Sequence, residues 1–345
     1  AAESLAGQIV RTPTVSVPAL SQMCGAEIVV KLENLQVTGS FKARGAMIKL
    51  AALGQAERAA GVVAVSAGNH AQGVAVHAQS LGIPATIFMP EATPFTKVGR
   101  TEALGADVIL VGDGVDEAWA AAVAYVMAHH GKTFIHPFDD EQVIAGQGTV
   151  ALEMLEDDPE LDAIVVPIGG GGLIAGCAVA AKALKPEIEI YGVQSAAYPA
   201  MANVLKGTSP SGGGPTLAEG IAVKAPGEIT RRIIKDLVAD IMLVGESDLE
   251  RAVQIYLDGP RQVVEGAGAA SLAAVLANPE RFRGRRVGLV VSGGNIDSRI
   301  LSSVLMRGLV RTGRIVRFRI KVSDAPGQLA KISRIIADAG GNIVE

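Results

Sequence analysis

The feature that most constrains the fold is a repeated rhythm of a short apolar run, a glycine-marked turn and a helical pattern. In the first half, strands are predicted over 61–65, 85–89 and 107–111, each followed by a helix, over 69–81, 96–104 and 115–130. A second series has strands over 163–168, 189–193 and 287–291, with a helix over 173–184. Because strands alternating with helices form βαβ units, we predict an α/β fold with two lobes, each built on a parallel sheet with helices on both faces.

The charge and cysteine content exclude several classes of protein. The 345 residues carry a net charge of −4 and no long basic run, so nucleic acid is not expected as a partner. The two cysteines, Cys24 and Cys177, form no CxxC motif, which excludes a zinc ribbon or disulfide scaffold and favours a reducing compartment. No apolar run of about 18 residues and no signal-peptide pattern occurs. We therefore predict a cytoplasmic protein without a membrane partner.

The most informative segment surrounds Lys42. Ser40 is a favourable N-cap residue, so Lys42 is predicted in the first turn of a helix. There the helix dipole and Arg44 disfavour a further positive charge, and no carboxylate occurs between Glu33 and Glu57 to offset them. Such an environment favours a neutral amine able to form a Schiff base. The alternative is an ordinary exposed lysine.

A second candidate site is the turn between a predicted strand and the helix that starts at Asn69. It consists of Ser66, Ala67, Gly68, Asn69 and His70. Backbone N–H groups at a helix start bind anions such as a carboxylate, and Asn69 could donate to a phenolic or hydroxyl oxygen. The alternative is a tight turn with Asn69 as its cap. His70 has no carboxylate nearby in sequence, which is more typical of a packed histidine than of a catalyst.

Four consecutive glycines separate a predicted buried strand from a helix that begins near Leu173. They are Gly169, Gly170, Gly171 and Gly172. Such a turn lets several N–H groups converge on a phosphate. Residues 170–175 also fit the dinucleotide pattern G-x-G-x-x-A, although Gln194 stands where a nicotinamide enzyme places an acid. Close packing of helix on strand is the third interpretation.

Ser292 begins a further polar turn, Ser-Gly-Gly-Asn, directly after a predicted strand. Ligands bind at the carboxyl ends of parallel strands, where all these turns are expected to meet. No G-x-S-x-G motif surrounds Ser292, and the five histidines form no H-E-x-x-H motif. We therefore predict neither a serine hydrolase nor a zinc hydrolase.

Taken in order, these elements resemble a known enzyme family. The matching stretches are KLENLQ at 31–36, GSFKARGA at 39–46, SAGNH at 66–70, IAGQGT at 144–149, GGGGL at 169–173, VEGAGA at 264–269 and SGGN at 292–295. The ordered set resembles the fold-type II pyridoxal-phosphate enzymes, which have the tryptophan synthase β-like fold, and most closely the threonine dehydratases and their serine racemase relatives. The resemblance spans residues 11 to about 311.

The resemblance implies a role for each candidate residue. It implies that Lys42 holds pyridoxal 5'-phosphate as a Schiff base, that Phe41 packs on the cofactor, that Asn69 contacts its phenolic oxygen and that Ser292 contacts its pyridine nitrogen. It further implies that Gly169, Gly170, Gly171, Gly172 and Leu173 bind the phosphate, and that Ser66, Ala67, Gly68, Asn69 and His70 bind the carboxylate of a small amino-acid substrate.

The implied reaction is the conversion of L-threonine to 2-oxobutanoate and ammonia, or of L-serine to pyruvate. Serine racemases have a serine at the position of Ala67, so the alanine favours elimination over racemisation. Gln194 and Ala200 stand where the racemases place acidic ligands, so no divalent metal is expected. The alternatives are a dehydratase for another β-hydroxy amino acid, a racemase-like enzyme, and a non-catalytic amino-acid sensor.

The last residues are distinct from the two lobes. A strand is predicted over 317–322, a helix from 324 to about 339, and another strand after 342, an order that resembles the start of a regulatory ACT domain. We predict a large cofactor-binding domain at 1–48 and 139–313, a small domain at 49–138 and an incomplete ACT-like domain at 314–345. The family resemblance implies a homodimer or homotetramer.

Overall fold

The computed structural model describes residues 1–343, and the chain forms two compact units. Ala1–Val304 form the first unit, and the second begins at Leu305. The strands are β1 (Thr14–Ser16), β2 (Glu27–Leu32), β3 (Val62–Val65), β4 (Ala85–Met89), β5 (Asp107–Leu110), β6 (Thr133–Phe134), β7 (Ala163–Pro167), β8 (Glu189–Ser195), β9 (Asp240–Val244) and β10 (Arg286–Val291).

Helices connect the strands and cover the sheets. They are α1 (Ala2–Leu5), α2 (Pro18–Cys24), α3 (Lys42–Ala51), α4 (Gln55–Ala60), α5 (Asn69–Ser80), α6 (Phe95–Ala103), α7 (Val115–Ala128), α8 (Glu141–Asp157), α9 (Gly172–Leu184), α10 (Ala200–Leu205), α11 (Glu228–Leu237), α12 (Glu246–Asp258), α13 (Gly266–Ala277), α14 (Pro279–Phe282), α15 (Ser298–Arg311) and α16 (Gln328–Asp338). Glu33–Leu35 and Glu219–Ile221 are short 3₁₀ turns. No helix among residues 1–343 is long and apolar enough to cross a membrane.

Six strands form the larger sheet, in the order β1-β2-β10-β7-β8-β9. All neighbours are parallel except β1, which is antiparallel to β2. Alternate residues of its strands enter different cores: Val30 and Leu289 belong to one apolar cluster, whereas Val29 and Val290 belong to the other. Because both faces are covered, the central residues of these strands are mostly apolar, as is typical of buried parallel sheets.

Four strands form the smaller sheet, in the order β5-β4-β3-β6, and all are parallel. The predicted alternation of strands and helices is confirmed in both sheets. Strand β4 has the predicted bounds, and the other predicted strands and helices of the two series end within two residues of them. The predicted domain boundaries stay a prediction.

Helix α8 packs so closely against α3 and α9 that their backbones are in contact. A Cβ on Gly146 would lie 2.6 Å from the Cα of Gly45, and one on Gly148 would lie 2.8 Å from the carbonyl oxygen of Gly176. Glycine costs about 1 kcal/mol relative to alanine inside a helix. Here glycine is required at both positions, because the neighbouring helices leave no room for a Cβ atom.

The second unit contains α16, which confirms the helix predicted there. The strand predicted over 317–322 is wrong, because that segment is not paired as a strand in the structure. Its alternating pattern is genuine, but a strand also needs a hydrogen-bonded neighbour. The strand predicted after 342 falls largely on Val344 and Glu345, which lie outside the described residues. The resemblance to an ACT domain therefore stays a prediction.

Candidate active site

Lys42 is the first residue of α3, as predicted, and its side chain enters the interior. The Nζ atom donates a hydrogen bond to the carbonyl oxygen of Pro137 at 2.6 Å and lies 5.2 Å from the centroid of the Phe41 ring. Burial lowers the pKa of Lys42 to about 8, and the negative charge of Glu265 opposes that shift only in part. The amine is therefore much easier to deprotonate than that of an exposed lysine.

Two of the reasons that the sequence offered for this low pKa are wrong. Ser40 does not cap α3: Phe41 occupies the N-cap position, and Ser40 pairs with Gly293 in an antiparallel bridge. Arg44 does not act on Lys42, because its guanidinium is neutralised by carboxylates within the protein. Burial is the main cause of the shift, and Glu265, the carboxylate that acts on Lys42, is distant from it in sequence.

Arg44 belongs to a buried charge cluster that consists of Lys31, Glu33, Arg44 and Glu153. Arg44 donates to both oxygens of Glu33 at 2.8 Å, and to those of Glu153 at 2.6 and 2.8 Å. Lys31 Nζ donates to Glu153 at 2.6 Å. Burial raises the pKa of Glu153, but the hydrogen bonds and charges of Arg44 and Lys31 outweigh it, so the net pKa is lowered. The cluster joins the first turn of α3 to β2 and α8.

The turn from Ser66 to His70 links β3 to α5. Gly68 is the N-cap of α5 and provides no side-chain cap, so the first N–H groups of that helix have no side-chain acceptor. The N–H of Gly68 donates to Ser66 Oγ at 3.0 Å. His70 Nε2 bonds the carbonyl oxygen of Ile135 at 3.0 Å, and burial lowers its pKa to about 3. His70 is thus a neutral, packed residue, and Ala67 packs against the apolar core below the turn.

The four glycines link β7 to α9. Gly171 has φ = +101°, a conformation that favours glycine, and it is an N-cap without a side-chain bond. Gly170 packs on Phe138, and its carbonyl oxygen accepts hydrogen bonds from Thr230 Oγ1 at 2.7 Å and from the N–H of Gly227 at 3.2 Å. The N–H groups from Gly169 to Leu173 find no acceptor among the described residues. Such a set of unpaired N–H groups is suited to an anion.

Ser292 follows β10 and is 2% exposed. Its carbonyl oxygen accepts a hydrogen bond from the N–H of Phe41 at 3.1 Å, and the N–H of Gly294 donates to the carbonyl oxygen of Gly39 at 2.9 Å. These two bonds join the segment before α3 to the segment after β10. The hydroxyl of Ser292 has no hydrogen-bond partner in the described part of the chain, which leaves it available to a ligand.

Sequence reasoning missed the segment 135–139 as part of this site. Pro137 accepts the bond from Lys42, while Asp139 caps α11 by accepting from the N–H groups of Glu228 and Ile229, each at 2.9 Å. Since Thr230 of α11 also bonds Gly170, Asp139 links the segment that contacts Lys42 to the glycine turn. The sequence gives no local signal for this role, because Asp139 caps a helix that begins 89 positions further along the chain.

Glu265 and Asn295 were also missed, although both lie in stretches that carry the family resemblance. Glu265 accepts a hydrogen bond from Asn69 at 2.8 Å, and Asn295 donates to Asn69 at 2.7 Å. Burial raises the pKa of Glu265 to about 7. Within residues 1–343, no group of three or more histidine, cysteine, aspartate or glutamate residues could hold a metal ion.

The structure therefore brings together a lysine whose pKa is lowered by burial, the uncapped start of α5, a glycine turn with unpaired N–H groups and the hydroxyl of Ser292. A family model described as "Pyridoxal-phosphate dependent enzyme" matches residues 5–293. The chain belongs to this family, so its cofactor is pyridoxal phosphate and its α/β architecture is the fold-type II one.

Individual relatives show which enzymes of the family this chain is similar to. The chain is 46% identical to the L-threonine ammonia-lyase of Thermotoga maritima, over 100% of this chain and 86% of the relative. It is 43% identical to the catabolic L-threonine dehydratase of Escherichia coli, over 88% of this chain and 93% of the relative.

Solved structures agree with these relatives. Maize serine racemase superposes with a TM-score of 0.83 at 33% identity, over 90% of this chain and 96% of that one. The processed threonine deaminase isoform 2 of Solanum lycopersicum has a TM-score of 0.83 at 34% identity, over 86% and 88%.

The described residues fit the cofactor. An amine is available for its aldehyde, unpaired N–H groups are available for its phosphate, and the unpaired Ser292 hydroxyl is available for its ring nitrogen. The N–H groups of the glycine turn and the hydroxyl of Ser292 have no hydrogen-bond partner among the described residues. The amine of Lys42 has a pKa lowered by burial.

Proposed function

We propose that this chain is a pyridoxal-phosphate-dependent L-threonine ammonia-lyase, which converts L-threonine to 2-oxobutanoate and ammonia and L-serine to pyruvate and ammonia. The observation that carries the proposal is the environment of Lys42, whose buried amine has a pKa of about 8. A sensor would have no use for such an amine. The identity to two relatives named for this activity supports the choice of substrate.

Each candidate residue has a proposed part in holding the cofactor. Lys42 would bind its aldehyde carbon, and Phe41 would pack against it. Gly169, Gly170, Gly171, Gly172 and Leu173 would donate N–H groups to its phosphate. Ser292 would contact the pyridine nitrogen, and Asn69 the phenolic oxygen. When bound, the cofactor supplies an electron-withdrawing ring that acidifies the α-hydrogen of an amino acid.

The turn from Ser66 to His70 would bind the substrate carboxylate. Its support is the start of α5, where Gly68 leaves the N–H groups uncapped and the helix dipole attracts an anion. His70 contributes through its backbone, since its ring is neutral and already bonded to Ile135. The carboxylate would be held without a neighbouring cationic side chain from this turn.

Once the amino group of the substrate had displaced Lys42 from the cofactor's aldehyde carbon, the freed Nζ would take the proton from the α-carbon of the bound amino acid. A lysine with a pKa near 8 is matched to such a step close to neutral pH. Loss of the β-hydroxyl and hydrolysis of the resulting enamine give the 2-oxo acid and ammonia. The net change from threonine is the loss of ammonia, because the water released is taken up again.

Two side chains favour elimination over other reactions of the family. The Ser292 hydroxyl is neutral and leaves the ring nitrogen largely unprotonated, which weakens the electron sink and favours rapid loss of a β-substituent. Ala67 offers no acid that could return a proton to the opposite face of the α-carbon. A racemase-like activity therefore needs a group that this turn lacks.

The decisive experiment measures product formation from L-threonine, L-serine and erythro-3-hydroxyaspartate by purified protein supplied with pyridoxal phosphate. We expect 2-oxobutanoate from threonine at the highest kcat/KM, and no D-serine from L-serine. The holoenzyme should show a visible absorption band at about 410–420 nm, and Lys42→Ala should abolish that band. Colourless protein that binds threonine without product would favour a sensor, and preference for hydroxyaspartate would favour the other dehydratase.

Further parts of the proposal concern location, organisation and assembly. Two free, buried cysteines, Cys24 and Cys177, support a reducing cytoplasmic compartment. We keep the division into a large domain at 1–48 and 139–313, a small domain at 49–138 and a segment from 314, with a homodimer or homotetramer as the assembly. Light scattering coupled to gel filtration measures that assembly directly.

A further inference from the structure

Three side chains near the site, Glu265, Asn69 and Asn295, form a continuous hydrogen-bonded chain, and the proposed mechanism gives a role only to Asn69. Glu265 Oε1 accepts from Asn69 Nδ2 at 2.8 Å, and Asn69 Oδ1 accepts from Asn295 Nδ2 at 2.7 Å. Asn295 Nδ2 also donates to the carbonyl oxygen of Thr38 at 2.7 Å. We refer to Glu265, Asn69 and Asn295 as the amide relay.

The relay has only one consistent direction of donation. The carbonyl oxygen of Thr38 can only accept, so Asn295 turns its Nδ2 toward Thr38 and Asn69, and Asn69 must accept through Oδ1. Both hydrogens of Asn295 Nδ2 are used, one by Thr38 and one by Asn69. One hydrogen of Asn69 Nδ2 is used by Glu265, so a single N–H of Asn69 remains. A reversed Asn69 amide would set one NH₂ group against another and leave Glu265 without its donor.

The position of the Glu265 carboxylate is itself fixed. Glu265 is the N-cap of α13, and its backbone N–H donates to the carbonyl oxygen of Gly293 at 3.1 Å. A Cβ on Gly293 would lie 2.6 Å from Glu265 Oε1, so the carboxylate rests directly on that backbone. The acceptor that holds Asn69 therefore cannot shift without moving the segment that carries Ser292.

The relay also joins the two sheets within the first unit. Asn69 begins α5, which follows β3 of the smaller sheet, whereas Glu265 and Asn295 flank β10 of the larger sheet. Side-chain amides rotate readily when nothing holds them. Bonds to both ends of Asn69 remove that freedom before a ligand arrives, and such preorganisation improves binding.

We propose that Glu265 is a positioning residue that fixes the Asn69 side-chain amide with one N–H reserved for the phenolic oxygen of pyridoxal phosphate. The inference rests on the proposed function, because it takes Asn69 as the partner of that oxygen. Asn295 completes the same arrangement from the other end. Neither side chain needs to touch the reacting atoms for this role.

The test measures the absorption maximum of the bound cofactor and its dissociation constant in variants of the relay. Glu265→Leu removes the acceptor, and Glu265→Asp withdraws it by one methylene while keeping the charge. We expect both to shift the absorption maximum in the direction seen for Asn69→Ala and to weaken cofactor binding about tenfold. Glu265→Gln keeps an acceptor oxygen, so we expect an unshifted absorption maximum and a dissociation constant within about threefold of that of the wild type.

Two further variants separate this role from a merely structural one. Glu265→Leu combined with Asn69→Ala should bind the cofactor no more weakly than Asn69→Ala alone, because both remove the same interaction. Asn295→Leu should shift the spectrum as Glu265→Leu does. Since Glu265→Gln and Glu265→Asp are small changes, the comparison remains possible where Glu265→Leu does not fold.

An unshifted spectrum in Glu265→Asp, or additive losses in the double variant, would overturn the proposal. A Glu265→Gln protein as impaired as Glu265→Asp would overturn it too, since an acceptor oxygen at the original distance would then not be enough to preserve cofactor binding. Retention of the cofactor band by Lys42→Ala marks a separate failure, that of the proposed function. The two failures are therefore distinguishable.

Discussion

Replacing Arg44 by methionine should destabilise the protein strongly, because the buried charge cluster depends on that guanidinium. Its side chain and that of Glu33 are both 0% exposed, and it makes four hydrogen bonds to two carboxylates at 2.6–2.8 Å. Without it, Glu33 keeps only the hydroxyl of Thr12 as a side-chain donor. Breaking a buried pair from one side costs about 3–5 kcal/mol of the free energy of unfolding.

Urea denaturation followed by far-ultraviolet circular dichroism measures that loss. Arg11→Met is the matched control, since Arg11 also pairs with two carboxylates, Glu156 and Asp157, but its side chain is 51% exposed. An exposed pair contributes at most about 1 kcal/mol.

Adding Glu33→Gln to Arg44→Met should restore part of the stability, because the unpaired charge is then gone. An Arg44→Met protein that loses no more than Arg11→Met, or a double variant less stable than Arg44→Met, would refute the reasoning.

Three other predictions follow from the site. In the proposed function, capture of pyridoxal phosphate by the apoenzyme requires the neutral amine of Lys42. The initial rate of capture, followed by stopped-flow absorbance, should therefore rise about tenfold per pH unit below the pKa of about 8 and level off above it. A rate that does not change between pH 6 and pH 8 would contradict this. Asp139→Ala removes the acceptor at the start of α11 and should weaken cofactor binding about five- to tenfold, as measured by fluorescence titration, whereas Asp139→Asn should lose less. Gly171 has a left-handed backbone conformation, and Gly171→Ala would place a Cβ 2.8 Å from Thr230. This variant should lower the free energy of unfolding by about 2 kcal/mol. The control Gly213→Ala, whose Cβ would have nothing within 4 Å, should change it by less than about 0.5 kcal/mol, as urea denaturation can measure.

The sequence predicted elements well where local signals were strong. The run 85–89 is apolar and bounded by a glycine-proline turn and a proline, and it is a strand with those bounds. The glycine turns after β3, β7 and β10 were found because glycine marks close backbone approach. The strand expected over 317–322 failed, since alternation alone cannot supply a pairing partner.

Residues that act through distant contacts could not be predicted in this way. Helix α8 was missed because Gly146 and Gly148 weaken its helical pattern, and only the packing against α3 and α9 explains why they are glycines. The connection between Glu265 and Asn69 spans 196 positions of sequence. The cause of the low Lys42 pKa was misjudged for the same reason, since burial depends on the assembled fold.

The two backbone hydrogen bonds between the segments at 39–41 and 292–294 have a consequence for how new activities could arise. They join Phe41 to Ser292 and Gly39 to Gly294 through main-chain atoms alone. The spacing between Lys42 and Ser292 is consequently set by peptide geometry and does not depend on which side chain stands at 292. With the proposed contact of Ser292 to the ring nitrogen, exchange of that one residue for an acid, an amide or a thiol should change the electronics of the bound coenzyme while the backbone at Lys42 stays in place.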